Sequence, residues 1–546
     1  MTYAEAAEST LGESCPALFE AAHPEVYRRN AFRVTGLSVE ATPREISQHT
    51  ERLRMMRKYN ANACMKIPLA LDPPPDEHAM REAVHKLHDP EKRLIDEFFW
   101  FWPRELGQGK TDQALVLLNG GDVNRAAKHW RKMEQSSDAY VSVHNLAVLF
   151  HCLALDLEQV ALRRKLYQKE LEILQEYWSQ AFKRWKVVLD HEPFWSRLTA
   201  RIRALEDPRL TTGLARRIRA SLPLALLSIN AALAFRHSEA GNFEGTKRQL
   251  QIMRWWEVSD DRDRLQGAEF GPLAQKALRE ACEPLRQRIK FICKNAEEQV
   301  HKDPTHGDEA TRELIAHAKP LLAIFDALLP PGDATRDAAH DEIAACALRC
   351  QVAYGNKTEN WKVSLELLEM AFPIAVGQAL RDRIQENINT VKRNLEYATC
   401  WFCKQNPADD KAALEVEMFG DVHLIPTWQG TKITWRHGTV RVPRCAKCKS
   451  AHVREEACAT VGGLLGFVLG IGASILIAKI VRDRDLRVVG CLAAPFGLVG
   501  IGNVIGAAIG AALRPKGVKP ESAMREFPRV KQLLSQGWNF GKRPST

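Results

Sequence analysis

A mainly α chain that carries one small β segment and ends in a two-helix hydrophobic hairpin is predicted by three observations. From about Thr111 to Tyr397, apolar residues recur at three- and four-residue steps in a run rich in Ala, Leu, Glu, Arg and Lys, the period of amphipathic helices. Between Cys400 and Cys448 the pattern changes to short alternating runs, Lys432–Trp435 and Thr439–Val442, the period of strands. Ala457–Ala478 and Val488–Leu513 then run for 22 and 26 residues without a charge.

At 546 residues the chain exceeds one core, and a prior of ~150 residues per domain divides it into several units. The net charge of +10 is modest for this length, so charge alone does not indicate a nucleic-acid partner. Much of the excess lies after the second hydrophobic stretch, where Arg514–Thr546 holds eight Lys/Arg against Glu521 and Glu526. A basic stretch beside an apolar segment suits anionic lipid headgroups. The opening MTYAEAAEST shows no basic n-region followed by an apolar core, so no secretory signal is read, and residues 1–26 are expected to be a weakly ordered lead-in. Thirteen cysteines without a disulfide-framework spacing point to buried free thiols in a reducing compartment, apart from two CxxC pairs.

The N-terminal unit, residues 27–105, reads as helical. Phe32-Arg33-Val34-Thr35-Gly36-Leu37 followed by Ala41-Thr42-Pro43-Arg44-Glu45-Ile46, with Leu87-His88-Asp89-Pro90-Glu91-Lys92-Arg93 downstream, resembles the J-domain (DnaJ-like) family over about 70 residues. Thr42 as N-cap with Glu45 three residues on fits a capping box, and Pro43 fits the first helical position. The resemblance implies a small helical fold and contact with a DnaK-type ATPase. The family's His-Pro-Asp, however, is replaced by Asn60-Ala61-Asn62, so it implies a docking module rather than an ATPase stimulator. The aromatics Phe98-Phe99-Trp100-Phe101-Trp102 are expected to pack against the helical run, because exposed they would form an improbable apolar surface.

Residues 111–397 hold three passages of helix, turn and second helix. They are Gly121-Asp122-Val123 with Ala126, Ala127 and Trp130 before His144–Leu155; Leu222–Phe235 with Ala240-Gly241-Asn242; and Ala344–Tyr354 with Asn356 before Trp361–Ala371. Small residues at crossing points resemble tetratricopeptide repeats, which implies a helical array that recruits a protein partner. A non-repetitive helical bundle shares many of these features.

Cys400-Trp-Phe-Cys403 and Cys445-Ala-Lys-Cys448 are the sharpest chemical signal. Two CxxC turns supply four thiolates for a tetrahedral cage, which suits structural Zn²⁺ because four sulfurs leave no open position. The 41 intervening residues suit a zinc ribbon with an enlarged loop, residues 398–455. A redox dithiol is disfavoured by the absence of a βαβ pattern. Lys404, Lys447 and Lys449 are candidates to offset the cage's charge, and Arg441, Arg444, Lys447, Lys449 and Arg454 to lie near lipid headgroups.

Ala457–Ala478 is ~33 Å as a helix, enough to cross a ~30 Å hydrocarbon core. Lys/Arg number four in Lys479–Arg487, six in Arg436–Arg454 and eight in the tail. That bias predicts a multi-pass anchor of two helices, residues 457–513, with both termini cytosolic and a basic cytosolic tail at 514–546. Gly462, Gly466 and Gly470, and again Gly502, Gly506 and Gly510, recur at four-residue steps and form one stripe on each helix. The stripes either close the hairpin on itself or join copies into a homo-oligomer.

Gly107-Gln-Gly109-Lys110-Thr111 lacks the first glycine of a phosphate-binding loop, since Arg104 stands there, and no strand leads into it. No HExxH, GxSxG or paired-carboxylate pattern occurs, and His144 and His151 fit core positions better than catalytic ones. The expected function is a non-enzymatic, membrane-anchored scaffold that recruits a cytosolic protein and contacts membrane lipid. A pore-forming effector of a toxin or defence system and a chaperone regulator without ATPase stimulation are the alternatives.

Overall fold

The computed structural model describes residues 14–58, 69–136, 139–211, 213–257, 270–427, 430–480 and 484–544. It is mainly α with one small three-stranded sheet. The Asn60-Ala61-Asn62 tripeptide lies outside the described residues. The chain divides into two compact units, residues 1–295 with 314–343, and residues 296–313 with 344–546.

In chain order the helices are α1 (Pro16–Ala21), α2 (Ala31–Thr35), α3 (Pro43–Lys58), α4 (Glu77–His88), α5 (Pro90–Phe98), α6 (Gln113–Asn119), α7 (Val123–Met133), α8 (Tyr140–Arg163), α9 (Gln168–Asp190) and α10 (Glu192–Ala204). They continue with α11 (Gly213–Glu239), α12 (Phe243–Glu257), α13 (Pro272–Ala281), α14 (Glu283–Lys302), α15 (Gly307–Leu328), α16 (Ala334–Thr358), α17 (Trp361–Ala371) and α18 (Gln378–Ala398). After the strands β1 (Leu414–Thr427) and β2 (Gly430–Val442) come α19 (Ala446–Ile480), α20 (Arg484–Ala512), α21 (Pro528–Ser535) and β3 (Asn539–Phe540).

Local chemistry sets the boundaries in the first unit. The Asn30 side chain caps α2, and Gly36 ends it at φ 70°. Thr42 and Glu45 form the capping box of α3, with Thr42 N donating to the Glu45 carboxylate at 2.9 Å and Glu45 N to Thr42 Oγ1 at 3.2 Å. Asp89 caps α5, and Pro90 takes its first position. The N-terminal helices and the longer ones share one core. Arg33, 2 % exposed, pairs with Asp156 of α8, Tyr27 OH lies 3.1 Å from His151 Nδ1, and Arg201 of α10 pairs with Glu97 of α5. The expected lead-in also joins this core from Cys15 onward, because Cys15 and Leu18 are fully buried.

The five consecutive aromatics are all buried. Phe98 meets Trp185 and Trp195, Phe101 stacks on Trp130 at 5.4 Å, and Trp102 meets Phe194. His144 Nε2–H donates to the Phe98 carbonyl oxygen of this layer at 2.8 Å. Burial lowers His144 to about 4 and His151 to about 3, so both stay neutral core residues. Helix pairs stand at the three passages, but in the third Asn356 lies inside α16 and the turn comes at Glu359, at φ 54°. Gly241 turns α11 into α12 at φ 70°, and a Cβ on Gly245 would lie 2.5 Å from His237 Nδ1, so glycine is required where these two helices meet.

In the second unit, α16, α17 and α18 enclose Leu348, Leu368, Ile384, Ile388 and Val391. β1 and β2 pair antiparallel from Leu414↔Val442 to Thr427↔Gly430, with an irregularity between Gly420 and His423. The two short strand runs read from the sequence are thus parts of one 13-residue strand. The sheet order is β2-β1-β3, with Met418↔Phe540 pairing the C-terminal segment to β1. The stretch read as a basic tail therefore folds back: Phe527, Val530 and Leu533 enter the same core as Phe402, Val416, Met418, Val440 and Val442. Charge counting hides this because the apolar residues are spaced among lysines and arginines.

Candidate metal centre and hydrophobic hairpin

Cys400 and Cys403 lie on a turn just after α18, closed by Lys404 N donating to the Cys400 carbonyl at 2.9 Å, with Lys404 at φ 55°. Cys445 precedes α19 and Cys448 occupies its first turn, with Lys449 N donating to the Cys445 carbonyl at 3.0 Å. The pairs are 41 residues apart in sequence, and the β1–β2 hairpin brings them together. Backbone bonds from Trp401 N to the Pro443 carbonyl (2.8 Å) and from Asp409 N to the Arg444 carbonyl (3.1 Å) tie the two turns.

All four sulfurs lie within 4.8 Å of one another, and Cys403 Sγ is 3.9 Å from Cys445 Sγ. A tetrahedral ion with metal–sulfur bonds of ~2.3 Å needs sulfurs ~3.8 Å apart, so the cage fits a metal ion. Cys400, Cys445 and Cys448 are buried and Cys403 is partly so. The Asn406 amide approaches Cys403 Sγ at 3.6 Å and Cys445 Sγ at 3.7 Å, a donor suited to a thiolate cage.

The charged neighbours differ in part from expectation. Lys404 Nζ lies 3.5 Å over the Trp401 ring, and Lys449 Nζ donates to the Lys411 carbonyl. Arg444 is buried, donating to the Ala412 carbonyl at 2.7 Å and to Glu521 at 3.0 Å, so it clamps the C-terminal segment rather than facing a surface. Arg441 pairs with Glu415.

Cys448 belongs to the same unbroken 35-residue helix as the first apolar stretch. Among the described residues four helices are long and apolar enough to cross a membrane: α8, α11, α19 and residues Ala493–Ala512 of α20. Within the most apolar window of each, 78 % and 67 % of α8 and α11 are buried, against 17 % and 11 % of the last two. Val468, Leu469, Ile480, Phe496 and Val504 all stand out from the protein.

The six striped glycines lie where α19 and α20 meet. A Cβ on Gly462 would sit 2.2 Å from the Gly502 carbonyl oxygen, on Gly466 2.1 Å from that of Leu498, and on Gly470 2.5 Å from Pro495 Cα. On the facing helix, Gly502 meets Gly462, Gly506 meets Cys458 and Gly510 meets Glu455 at 2.1, 2.2 and 2.9 Å. Every one of these contacts is to backbone. Two features escaped sequence reading: Gly463, against which Asn503 rests, and the bidentate Arg514–Glu455 pair (2.7 and 3.1 Å) at the base of the hairpin. The four-residue period reveals stripes, but a single glycine and a pair 59 residues apart leave no periodic trace.

Gly107 N and Gly109 N both donate to the Glu40 carboxylate, the second at 2.9 Å. The loop that resembles part of a phosphate-binding motif is therefore occupied by the chain's own carboxylate. Comparison with protein-family models, with curated proteins and with solved structures finds no match.

Proposed function

We propose that this protein is a non-enzymatic scaffold anchored in a membrane by α19 and α20, which recruits a cytosolic protein through its helical array. The observation that carries the reading is the exposure of the long uncharged stretches of α19 and α20, whose seam is closed by backbone contact, while the other two apolar helices among the described residues, α8 and α11, are mostly buried. An apolar surface of this extent is stable in hydrocarbon and costly in water. The Lys/Arg bias sets both flanks on the cytosolic side and leaves residues 479–487 to be translocated.

Structural Zn²⁺ is the ion that four thiolates in a closed tetrahedral cage suit best. Held by Cys400, Cys403, Cys445 and Cys448, it would fasten the start of α19 to the ribbon and give the anchor a rigid mount. Contacts between the glycine stripes within one hairpin support anchoring over a pore built from those stripes. The J-like and tetratricopeptide-like passages supply the helical faces for a protein partner, and membrane lipid is the second partner. Carbonate extraction tests the reading: the full chain should stay in the membrane pellet, and deletion of Val461–Leu513 should release it. A full-length chain recovered in the supernatant would refute the anchor.

A further inference from the structure

Over the glycine seam, α19 and α20 leave an apolar trough of about 500 Å³. Val461, Leu465 and Leu469 form one wall and Ile501, Ile505 and Ile509 the other, each more than half exposed. Cys458 stands at one end, where the uncharged stretch of α19 begins. Its carbonyl oxygen lies against Gly506, which fixes the residue at the seam. The Cys458 thiol is free and partly exposed. Among the described residues the other free thiols are buried or belong to the four-cysteine cage.

The dimensions of the trough select its occupant. From Cys458 to Leu469 the helix rises ~17 Å, so a void of about 500 Å³ has a mean cross-section of ~30 Å². An α-helix ~10 Å across needs ~80 Å², which excludes a helix of a second copy. One saturated hydrocarbon chain needs ~20 Å², and with about sixteen carbons it is ~20 Å long and fills ~430 Å³. No lining side chain other than Cys458 carries a polar atom, so a lipid headgroup finds no partner there.

We propose that Cys458 is a site of S-acylation and that its thioester-linked chain lies in the trough over the glycine seam. This rests on the anchor reading above, which puts Cys458 at the cytosolic edge of the bilayer, where a partly exposed thiol meets long-chain acyl thioesters. The Cys458 sulfur attacks the acyl carbonyl carbon of such a donor. A new S–C bond forms as the donor's S–C bond breaks, and the thiol proton ends on the released donor thiol. Oxidant and reductant are not needed. Because the tether starts at the mouth of the trough, the chain enters at high effective concentration. There it supplies the dispersion contacts that the open walls lack.

The test incubates the full chain in phosphatidylcholine vesicles with acyl-CoA donors of graded chain length, read by intact mass and peptide mapping. Vesicle flotation is the independent readout. Wild type should float, take up one hydroxylamine-labile chain at Cys458 and favour donors of about sixteen carbons over much shorter or longer ones. Cys458→Ser should float and lose that chain. Ile505→Trp, which keeps the thiol but fills the trough, should float and acylate about tenfold more slowly. A floating wild type that stays unacylated, or a Cys458→Ser variant acylated like wild type, overturns the inference and leaves the anchor reading standing. Equal acylation of Ile505→Trp without preference for chain length also overturns it, because the thiol would then act without the trough. An unacylated wild type that retains phospholipid through purification, lost in Ile505→Trp, gives the trough to a free lipid chain and overturns it too. A wild type that does not float removes the anchor reading and this inference together.

Discussion

Asp96 shows what burial does to a single carboxyl group. It is 4 % exposed, accepts from Ala31 N at 2.8 Å and lies 4.0 Å from Lys86 Nζ. Burial raises it to about 6 although Lys86 and the Ala31 amide pull the other way. A folded-state pKa above the unfolded one favours folding at low pH, and that contribution is lost as pH rises through about 6. Asp96→Asn keeps an oxygen for Ala31 and should therefore stabilise the protein at pH 7.5 by about 1–3 kcal/mol, with the gain gone below about pH 4. Urea midpoints at the two pH values check it, and an equal gain at both would point away from ionisation. Glu158 shows the opposite balance. Burial again acts against its charge, but hydrogen bonds from His237 (2.9 Å) and Arg248 (2.8 Å) outweigh it and hold the carboxyl below its ordinary range. Its contribution is present above the unfolded value and lost as pH falls through the lower folded one. Glu158→Gln strands Arg248 half-buried without its counter-charge and should cost about 3–5 kcal/mol near neutral pH, read from the same denaturation curves.

At the scale of elements, the ribbon and the hairpin depend on close approaches that single atoms decide. A Cβ on Gly420 would fall 2.5 Å from the Trp538 ring, so the C-terminal segment lies flat on β1 only because position 420 has no side chain. Phe527, 1 % exposed, packs edge-on against Trp401 and Tyr397 beside the cysteine turns. Phe527→Ala should cost about 3–5 kcal/mol and speed removal of bound metal by a chelator, followed as metal content against time. Unchanged release would mean that the C-terminal segment does not support the cage. In the hairpin, Gly462→Leu should force α19 and α20 apart, because the new side chain meets the Gly502 backbone, which cannot give way as a rotamer can. Gly497→Leu, with nothing within 4 Å, should leave the spacing unchanged. Spin-label distances between α19 and α20 separate the two outcomes.

At the scale of the whole molecule, four apolar helices compete for the description of a membrane span, and their surroundings separate them. α8 and α11 carry buried polar groups that are paired within the protein, such as Asn145 with the Trp102 backbone and Asn230 with Gln249. Lipid could not offer those bonds. In sealed vesicles a cysteine-directed probe should therefore label Arg514–Thr546 positions and the loop at 479–487 from opposite sides, while sites on α8 and α11 stay protected only as long as the protein is folded. Labelling of both flanks of α8 from opposite sides would overturn this assignment.

Much of this was legible in the sequence. The 3.6-residue period, the capping box at Thr42 and Glu45, the two CxxC turns and the uncharged stretches each follow from neighbours close in the chain, where geometry leaves few choices. The four cysteines could be named as one set because thiolate chemistry favours a closed cage, although only the β1–β2 hairpin brings the pairs within 4.8 Å. The folded C-terminal segment, the Arg444–Glu521 and Arg514–Glu455 pairs and the seating of Asn503 on Gly463 had no local signature. Each depends on residues about 40 to 100 or more positions apart meeting at one place. Sequence by itself determined which segments are helical, which are apolar and which side chains can hold a metal, because those are properties of composition and period. Only the tertiary structure decided which apolar helices are covered, which glycines touch and which charges are already paired, because burial and distance belong to the packed chain and not to any stretch of it.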